Sequence, residues 1–154
     1  MAMLRSLLLL FVIFSMGNAQ ADLGKCPREW KRFGHRCYKY FSQSVKWVSA
    51  ERNCQSLGAD LASVHDQPEN DFLLGLMPPS KRKWVGAHDG EQDGEWFWSD
   101  GSVYDYDHWC SGEPSNSVSE NCLELNFTPN RCWNDAPCST SMKYICVLDV
   151  RGHH

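Results

Sequence analysis

The feature that most limits how this 154-residue chain can fold is its set of eight cysteines. An even number of cysteines in a secreted chain indicates disulfides and no free thiol. Eight cysteines allow about 105 pairings, so their number predicts four bridges without their connectivity. Zinc binding is the competing use of cysteines, and it is disfavoured because the chain has no Cys-x-x-Cys pair.

Residues 1–21 are predicted to be a secretory signal peptide. Arg5 precedes an apolar stretch from Leu7 to Phe14, and the small residues Ala19 and Ala21 provide cleavage sites. This stretch is much shorter than the ~20 residues needed to span a bilayer, and no later run comes closer. We therefore expect a secreted, extracellular protein without a membrane span.

Length and charge exclude several functional classes. The formal net charge is −4 and the lysines form no continuous stripe, so we do not expect nucleic-acid binding, which depends on neutralising phosphates. The length suits one domain, predicted over residues 26–148 and followed by a polar tail over 149–154. The tail ends in His153-His154, and two terminal histidines are a weak basis for a metal site.

Two helices are predicted in the N-terminal half. The apolar face of the first is formed by Trp47, Ala50, Cys54 and Leu57. Gly58 is typical of the residue that follows a helix end. The second helix has Asp66 as N-cap, Pro68 in its first turn and Glu69 in a capping-box position, and it ends before Pro78-Pro79.

The second half predicts strands and one long loop. Aromatic and β-branched runs indicate strands at residues 84–87, 95–98, 123–127 and 144–148. Residues 99–121 are rich in Gly, Ser, Asp and Asn and show little periodicity. Irregular loops longer than about 12–15 residues are uncommon and usually functional, so we expect the site there.

Landmark residues follow one another in a distinctive order. They are Cys26-Pro27, Cys37-Tyr38, Trp47-x-x-Ala50-x-x-x-Cys54, Leu61-Ala62-Ser63-Val64, Trp84-Val85-Gly86, Trp96-x-Trp98 and Cys132-Trp133-Asn134-Asp135. This order resembles the C-type lectin-like domain in its long form, a family that includes small secreted lectins and type II antifreeze proteins. The resemblance implies an α+β fold with two helices, small antiparallel sheets, a long irregular binding loop and four disulfides.

The resemblance also implies how the cysteines pair. It selects Cys26–Cys37, Cys54–Cys146 and Cys122–Cys138. The remaining pair, Cys110–Cys132, resembles an additional bridge of the antifreeze branch. We expect that fourth bridge to brace the long loop.

A calcium site is implied by the same resemblance. Its Ca²⁺ ligands would be Glu113, Ser115, Glu120, Asn134 and Asp135, and the first four of these would also contact a carbohydrate. Calcium takes six to eight oxygens in irregular geometry, which suits this set. The resemblance further implies a cis Glu113–Pro114 bond. The implied function is a calcium-dependent lectin, not an enzyme, that recognises glycans on cell or microbial surfaces in innate immunity.

Ser115 departs from the usual form of the family. Mannose-type members have Glu-Pro-Asn and galactose-type members Gln-Pro-Asp, whereas this chain has Glu113-Pro114-Ser115. Serine offers one neutral oxygen on a short side chain, so we expect weaker calcium binding and blurred sugar selectivity. Glu113 favours mannose over galactose, and no aromatic residue follows the triplet. One weak sugar site would depend on a homo-oligomer for avidity.

Two alternative functions remain open. An ice-binding protein on this scaffold would fit the Cys110–Cys132 pair, although the chain has only two threonines, Thr128 and Thr140. A calcium-free domain that binds proteins is the other.

Asn126 begins a candidate N-glycosylation site inside a predicted strand. His65 and His88 are interpreted as surface or packing residues.

Overall fold

The computed structural model describes residues 24–78 and 81–151. The predicted signal peptide and His153-His154 lie outside these ranges. Within them the helices are α1 (Trp47–Ser56) and α2 (Gln67–Gly75). The strands are β1 (Lys31–Phe33), β2 (Arg36–Val45), β3 (Asp60–Leu61), β4 (Lys83–His88), β5 (Phe97–Trp98), β6 (Cys122–Leu125), β7 (Asn134–Ala136) and β8 (Met142–Asp149). The predicted α+β fold class is confirmed.

The strands join into one mixed sheet in the order β1-β2-β8-β4-β6-β7. Strand β3 also pairs with β8, and β5 pairs with β4. The antiparallel pairing of β2 with β8 is the most extensive, from Arg36 opposite Asp149 to Val45 opposite Met142. Strands β4 and β8 run parallel, with Trp84 opposite Tyr144. This parallel pair is what makes the sheet mixed instead of purely antiparallel.

Four strands, β1 to β3 and β7, were not predicted from the sequence. Strand β2 does not alternate regularly between apolar and polar residues, and its register against β8 shifts between Phe41 and Val45. Strand β8 runs to Asp149, and the Val150 N–H donates to the His35 carbonyl at 3.0 Å. The sheet therefore continues past residue 148, into the first residues of the predicted tail.

Both predicted helices are present. Gly58 follows α1 with a φ of 73°, in the left-handed region that glycine adopts easily. At the start of α2, the Asp66 side chain accepts from the Glu69 N–H at 2.8 Å. The Glu69 carboxylate accepts in turn from the His65 N–H at 3.2 Å, one residue earlier than the capping box predicts. In the described ranges, neither helix is long and apolar enough to cross a membrane.

Alternate residues of β8 enter two separate apolar clusters. Ile145 and Val147 belong to one cluster, with Trp133 and Leu123, whereas Tyr144 belongs to the other. This division follows from the strand geometry, because successive side chains point to opposite faces of a sheet. The central strand is therefore packed on both faces.

Four disulfides form, and they have the pairing that the resemblance implied. They are Cys26–Cys37, Cys54–Cys146, Cys110–Cys132 and Cys122–Cys138, and no cysteine is free. The Cys54–Cys146 bridge spans 92 residues and joins α1 to β8. Closing a loop of that length in the unfolded chain corresponds to roughly 4–5 kcal/mol on the chain-entropy account.

A pair of carboxyl groups links α1 to β3. Glu51 is buried, and its carboxylate accepts from the Leu61 N–H at 2.8 Å and from the Ser99 hydroxyl at 3.0 Å. Burial, a hydrogen bond to Glu51 and the negative charge of Glu51 raise the pKa of Asp60 to about 7. Asp60 therefore keeps its proton in the folded protein well above the pH at which it would lose that proton in the unfolded chain.

The free energy of unfolding is expected to fall as the pH rises from about 4 to about 7. In that range the unfolded chain releases the Asp60 proton while the folded protein retains it, so higher pH favours unfolding. Asp60→Asn keeps a donor toward Glu51 and should raise the melting temperature at pH 8 by about 3 °C. Asp71→Asn, an exposed change on α2, is the control in calorimetry from pH 4 to 8. An unchanged pH profile in Asp60→Asn would contradict the shared proton.

Candidate functional site

The predicted ligands lie on the long loop between β5 and β6 and at the start of β7. A parallel bridge between Trp109 and Trp133 fixes the loop against the approach to β7. In it, the Cys110 N–H donates to the Trp133 carbonyl at 2.9 Å, and the Trp133 N–H donates to the His108 carbonyl at 2.8 Å. The Cys110–Cys132 disulfide joins the same two segments. The fourth bridge thus lies next to the loop that carries Glu113.

Asp135 is the centre of the candidate site. It is fully buried, and its Oδ1 accepts from the Ser115 N–H at 2.9 Å. Its Oδ2 accepts from the Ser115 hydroxyl at 2.9 Å and from the Asn116 N–H at 3.1 Å. The Ser115 hydroxyl also contacts the Glu120 carboxylate. Since a hydroxyl has a single proton, it cannot donate to both carboxylates at once.

Glu113 adds a third acidic group to this cluster. Its Oε2 is buried and has no hydrogen-bond partner. Burial, a hydrogen bond to Asp135 and the negative charges of Asp135 and Glu120 together raise the pKa of Glu113 to about 7. The Glu113–Pro114 peptide is cis. The loop therefore gathers carboxyl groups that repel one another, and one of them has an unused buried oxygen.

Asn134 is oriented differently from the other predicted ligands. Its side-chain N–H₂ donates to Glu124 Oε1 at 2.6 Å. Glu124 is fully buried and accepts from Arg82 Nε at 2.6 Å. The structure thus places Ser115 in contact with Asp135 and Glu120, and Glu113 beside Asp135, while the amide nitrogen of Asn134 is held by Glu124.

Two further oxygen-bearing residues lie outside the predicted ligand set, and one of them, Asp89, was missed from the sequence. Asp89 directly follows β4 and is fully buried. Its Oδ2 accepts from the Gly94 N–H at 2.9 Å, but its Oδ1 has no partner. Burial raises the pKa of Asp89, and the charges of Asp93 and Asp135 add to that effect. Asn121 also has a buried side-chain oxygen without a partner. The acidic turn that begins directly after a predicted strand was the available signal for Asp89.

These oxygens fit a hard cation better than a transition metal. In the described part of the chain, no three His, Cys, Asp or Glu side chains gather into a compact metal site. A cation here would therefore also need serine, amide or backbone oxygens, which calcium accepts. Glu113, Asp89 and Asn121 each have a buried side-chain oxygen without a partner, and a bound cation is one way in which such an oxygen is satisfied.

One constellation elsewhere has the connectivity of a catalytic triad. His65 Nε2 lies 3.1 Å from the Ser63 hydroxyl, and His65 Nδ1 lies 2.8 Å from Asp105. Ser63 is fully buried, however, and its hydroxyl accepts from Arg36 Nη1 at 2.7 Å and donates to Asp100. A hydroxyl committed to an ion-pair network and closed to solvent is not a nucleophile. This cluster holds the fold together.

Two other candidate residues have clear structural positions. Trp133 is fully buried and its Nε1 donates to the Asn70 side chain at 2.8 Å, so it is a core residue. Asn126 follows β6 instead of lying within a strand, because β6 ends at Leu125 and Asn126 has a φ of 66°. Its side chain is 6% exposed and donates to the Lys81 carbonyl at 2.8 Å. Glycosylation of Asn126 stays a prediction.

Comparison with known proteins gives consistent matches over most of the chain. Residues 43–148 match the family described as Lectin C-type domain. Ladderlectin from Oncorhynchus mykiss is 41% identical over 128 residues, which cover 80% of this chain and 67% of that protein. Galactose-specific lectin nattectin from Thalassophryne nattereri is 37% identical over 130 residues, which cover 81% of both.

A solved structure agrees with these relatives. Herring type II antifreeze protein has a TM-score of 0.79 at 34% sequence identity, covering 80% of this chain and 98% of that one. Two of these similar proteins are named as lectins and the third as an antifreeze protein, which agrees with the prediction of a non-enzymatic binding protein. The chain belongs to the C-type lectin domain family.

Proposed function

We propose that this protein is a secreted, calcium-dependent lectin that binds glycans on cell or microbial surfaces. The observation that carries the proposal is the buried, unpartnered Oε2 of Glu113, a carboxyl group that is hydrogen-bonded to Asp135 and exposed to the negative charge of Glu120. The proposed calcium ligands are Glu113, Ser115, Glu120, Asn134 and Asp135. Bound calcium would keep the carboxylates ionised and offer coordination positions to two sugar hydroxyls.

The hydrogen bonds of Asn134 support its place among the ligands. Because its N–H₂ donates to Glu124, its Oδ1 points away from Glu124 and is the atom available to a cation. Arg82 fixes Glu124 from the other side. Residues that orient a ligand in this way set both its direction and its basicity. We therefore assign Glu124 and Arg82 as positioning residues.

Carbohydrate contacts are proposed for Glu113, Ser115, Glu120 and Asn134. The two glutamates accept hydrogen bonds from sugar hydroxyls, whereas Ser115 can either donate or accept. Glu113 favours a mannose-type ligand, while the relative nattectin is named as galactose-specific. A site of this kind binds a single sugar weakly, so the proposal includes a homo-oligomer that presents several sites to a dense glycan surface, as in innate immunity.

Secretion is part of the same proposal. Four disulfides in a chain of this size are typical of an oxidising compartment. The N-terminal residues 1–21 have the pattern of a signal peptide. Both features are consistent with a protein that meets calcium and glycans outside the cell.

Calcium binding should depend on Asp135. Calorimetric titration of the wild-type protein with calcium is expected to show saturable binding. Asp135→Asn should weaken it by about 100-fold, because the central charge is lost from a buried cluster. Asp107→Asn removes the same charge from an exposed position of the same loop and should leave the affinity unchanged. If no calcium binding is detected at millimolar concentrations, the alternative of a calcium-free domain that binds other proteins is favoured instead.

Ser115→Asn should strengthen calcium binding by about fivefold. Asparagine offers calcium a carbonyl oxygen that only accepts, whereas the Ser115 hydroxyl is already engaged with the carboxylates of Asp135 and Glu120. Position 115 is exposed, so the larger side chain can be accommodated. The readout is the calcium dissociation constant, and Ser117→Asn on the same loop is the control. An equal or weaker affinity in Ser115→Asn would show that serine is not the weak ligand.

Sugar binding should require both calcium and Asn134. The wild-type protein is expected to be retained on mannose-agarose in calcium, less on galactose-agarose, and to elute with EDTA. Asn134→Ala should not be retained, because it removes the amide oxygen that Glu124 orients. Retention that is insensitive to EDTA, or that survives Asn134→Ala, would place the sugar site elsewhere.

Ice binding is the second candidate, favoured by the likeness to herring type II antifreeze protein. It would produce thermal hysteresis in dilute solution independently of any sugar. A thermal hysteresis that cannot be distinguished from that of buffer would exclude ice binding and leave the lectin proposal unaffected.

A further inference from the structure

Lys83 is a buried lysine whose ammonium group has no hydrogen-bond acceptor. It is the first residue of β4 and is fully buried. The ammonium lies 5.3 Å from the centroid of the Tyr40 ring. A cation–π contact of this kind offsets part of the lost hydration, but the three N–H donors still lack an oxygen acceptor. Such a group is costly to keep unless something else compensates for it.

The charges closest to Lys83 are also positive. Lys143 lies directly opposite it in the pairing of β4 with β8. Burial, followed by the charges of Lys143 and Lys81, lowers the pKa of Lys83 to about 8. Among the residues described by the structure, none of these three lysines has a carboxylate partner within 4.0 Å. The fold therefore concentrates uncompensated positive charge at one place in an acidic chain.

The adjacent basic residue does not add to this excess. Arg82 donates to the Glu124 carboxylate through Nε at 2.6 Å and Nη2 at 2.5 Å. Its charge is therefore already neutralised by a buried partner. The positive charge available to a ligand comes from Lys81, Lys143 and the buried Lys83.

A pocket of about 220 Å³ is lined by Lys81 and Lys143, the two lysines whose charges act on the buried Lys83. Besides Lys81, Arg82 and Lys143, its polar wall consists of the hydroxyl-bearing residues Ser44, Thr140 and Ser141. No carboxylate lines it, so every side-chain group that is charged or carries a hydroxyl can donate a hydrogen bond. Ammonium and hydroxyl donors without an acidic competitor are the groups that bind a tetrahedral oxyanion.

We propose that this pocket binds a sulfate or phosphate monoester through Lys81 and Lys143, with the hydroxyls of Ser44, Thr140 and Ser141 completing the donors. The bound anion would relieve the repulsion among the lysines and compensate the buried charge of Lys83. The pocket lies at the end of β4 opposite to Asp89, and a strand of six residues separates the two by about 20 Å. None of its lining residues is a proposed calcium ligand, but Arg82 lines the pocket and also donates to Glu124, the residue that orients Asn134.

The test is equilibrium dialysis of the whole protein against radiolabelled inorganic sulfate in the presence of EDTA. Saturable binding is expected, and it should weaken about tenfold in Lys143→Gln, which removes a charged donor from the pocket wall. Lys25→Gln makes the same change at an exposed position outside the pocket and should bind sulfate like the wild type. Lys83→Met should also bind more weakly, while circular dichroism checks that it is folded.

Further measurements distinguish binding in this pocket from binding at the calcium site and from general attraction to surface lysines. Asp135→Asn should retain sulfate binding even if calcium and sugar binding are lost. Equal weakening in Lys143→Gln and Lys25→Gln, or no saturable binding in the wild type, would overturn the proposal. Competition by 4-nitrophenyl sulfate and 4-nitrophenyl phosphate then identifies which ester is preferred. Thermal stabilisation is not the readout, because sulfate stabilises folded proteins generally by exclusion from their surfaces.

Discussion

Strand β8 is the element on which the rest of the structure depends. It pairs with β2, β3 and β4, and Cys146 at its centre is bonded to Cys54 of α1. Its alternate side chains enter both apolar clusters. Because β4 is aligned on β8, and β6 and β7 are added in turn, the position of Asp135 at the sheet edge follows from this central strand. The stability of the core is what allows an irregular loop to lie at that edge.

The candidate site combines features that do not stabilise the metal-free protein. Glu113 has an unpartnered buried oxygen, and its pKa is raised by burial and by Asp135 and Glu120. Asp89 has another unpartnered oxygen near the same acidic groups. Groups held in this way are unfavourable in isolation. The Cys110–Cys132 disulfide and the Trp109–Trp133 bridge restrain the loop that carries Glu113. The arrangement of these acidic groups is the physical basis for proposing a cation.

The sequence predicted the parts of the structure that depend on local signals or on the order of landmarks. Asp66 marked the start of α2 because a side-chain cap needs only neighbouring residues. The cysteine pairing came from the family resemblance, since 105 pairings are compatible with the number alone. Strand β2 was missed because its burial changes from buried to exposed along its length instead of alternating between its two faces. Its register against β8 also shifts. Asp89 was missed because its burial depends on contacts with Gly94 and Asn121 that no local pattern contains.

Strand β4 connects the two proposed ligand sites. It begins at Lys83, a buried cation without an acceptor, and Asp89 after its last residue is a buried carboxyl group with an unused oxygen. Within a protein these two groups would stabilise each other only if they were close, but the extended strand keeps them apart. Neither group compensates the other, which agrees with the two proposals, a cation at the end of the sheet that holds Asp89 and an anion at the end that holds Lys83. Departures from local optimisation of this kind are typical of functional positions, and here they lie at the two ends of one strand.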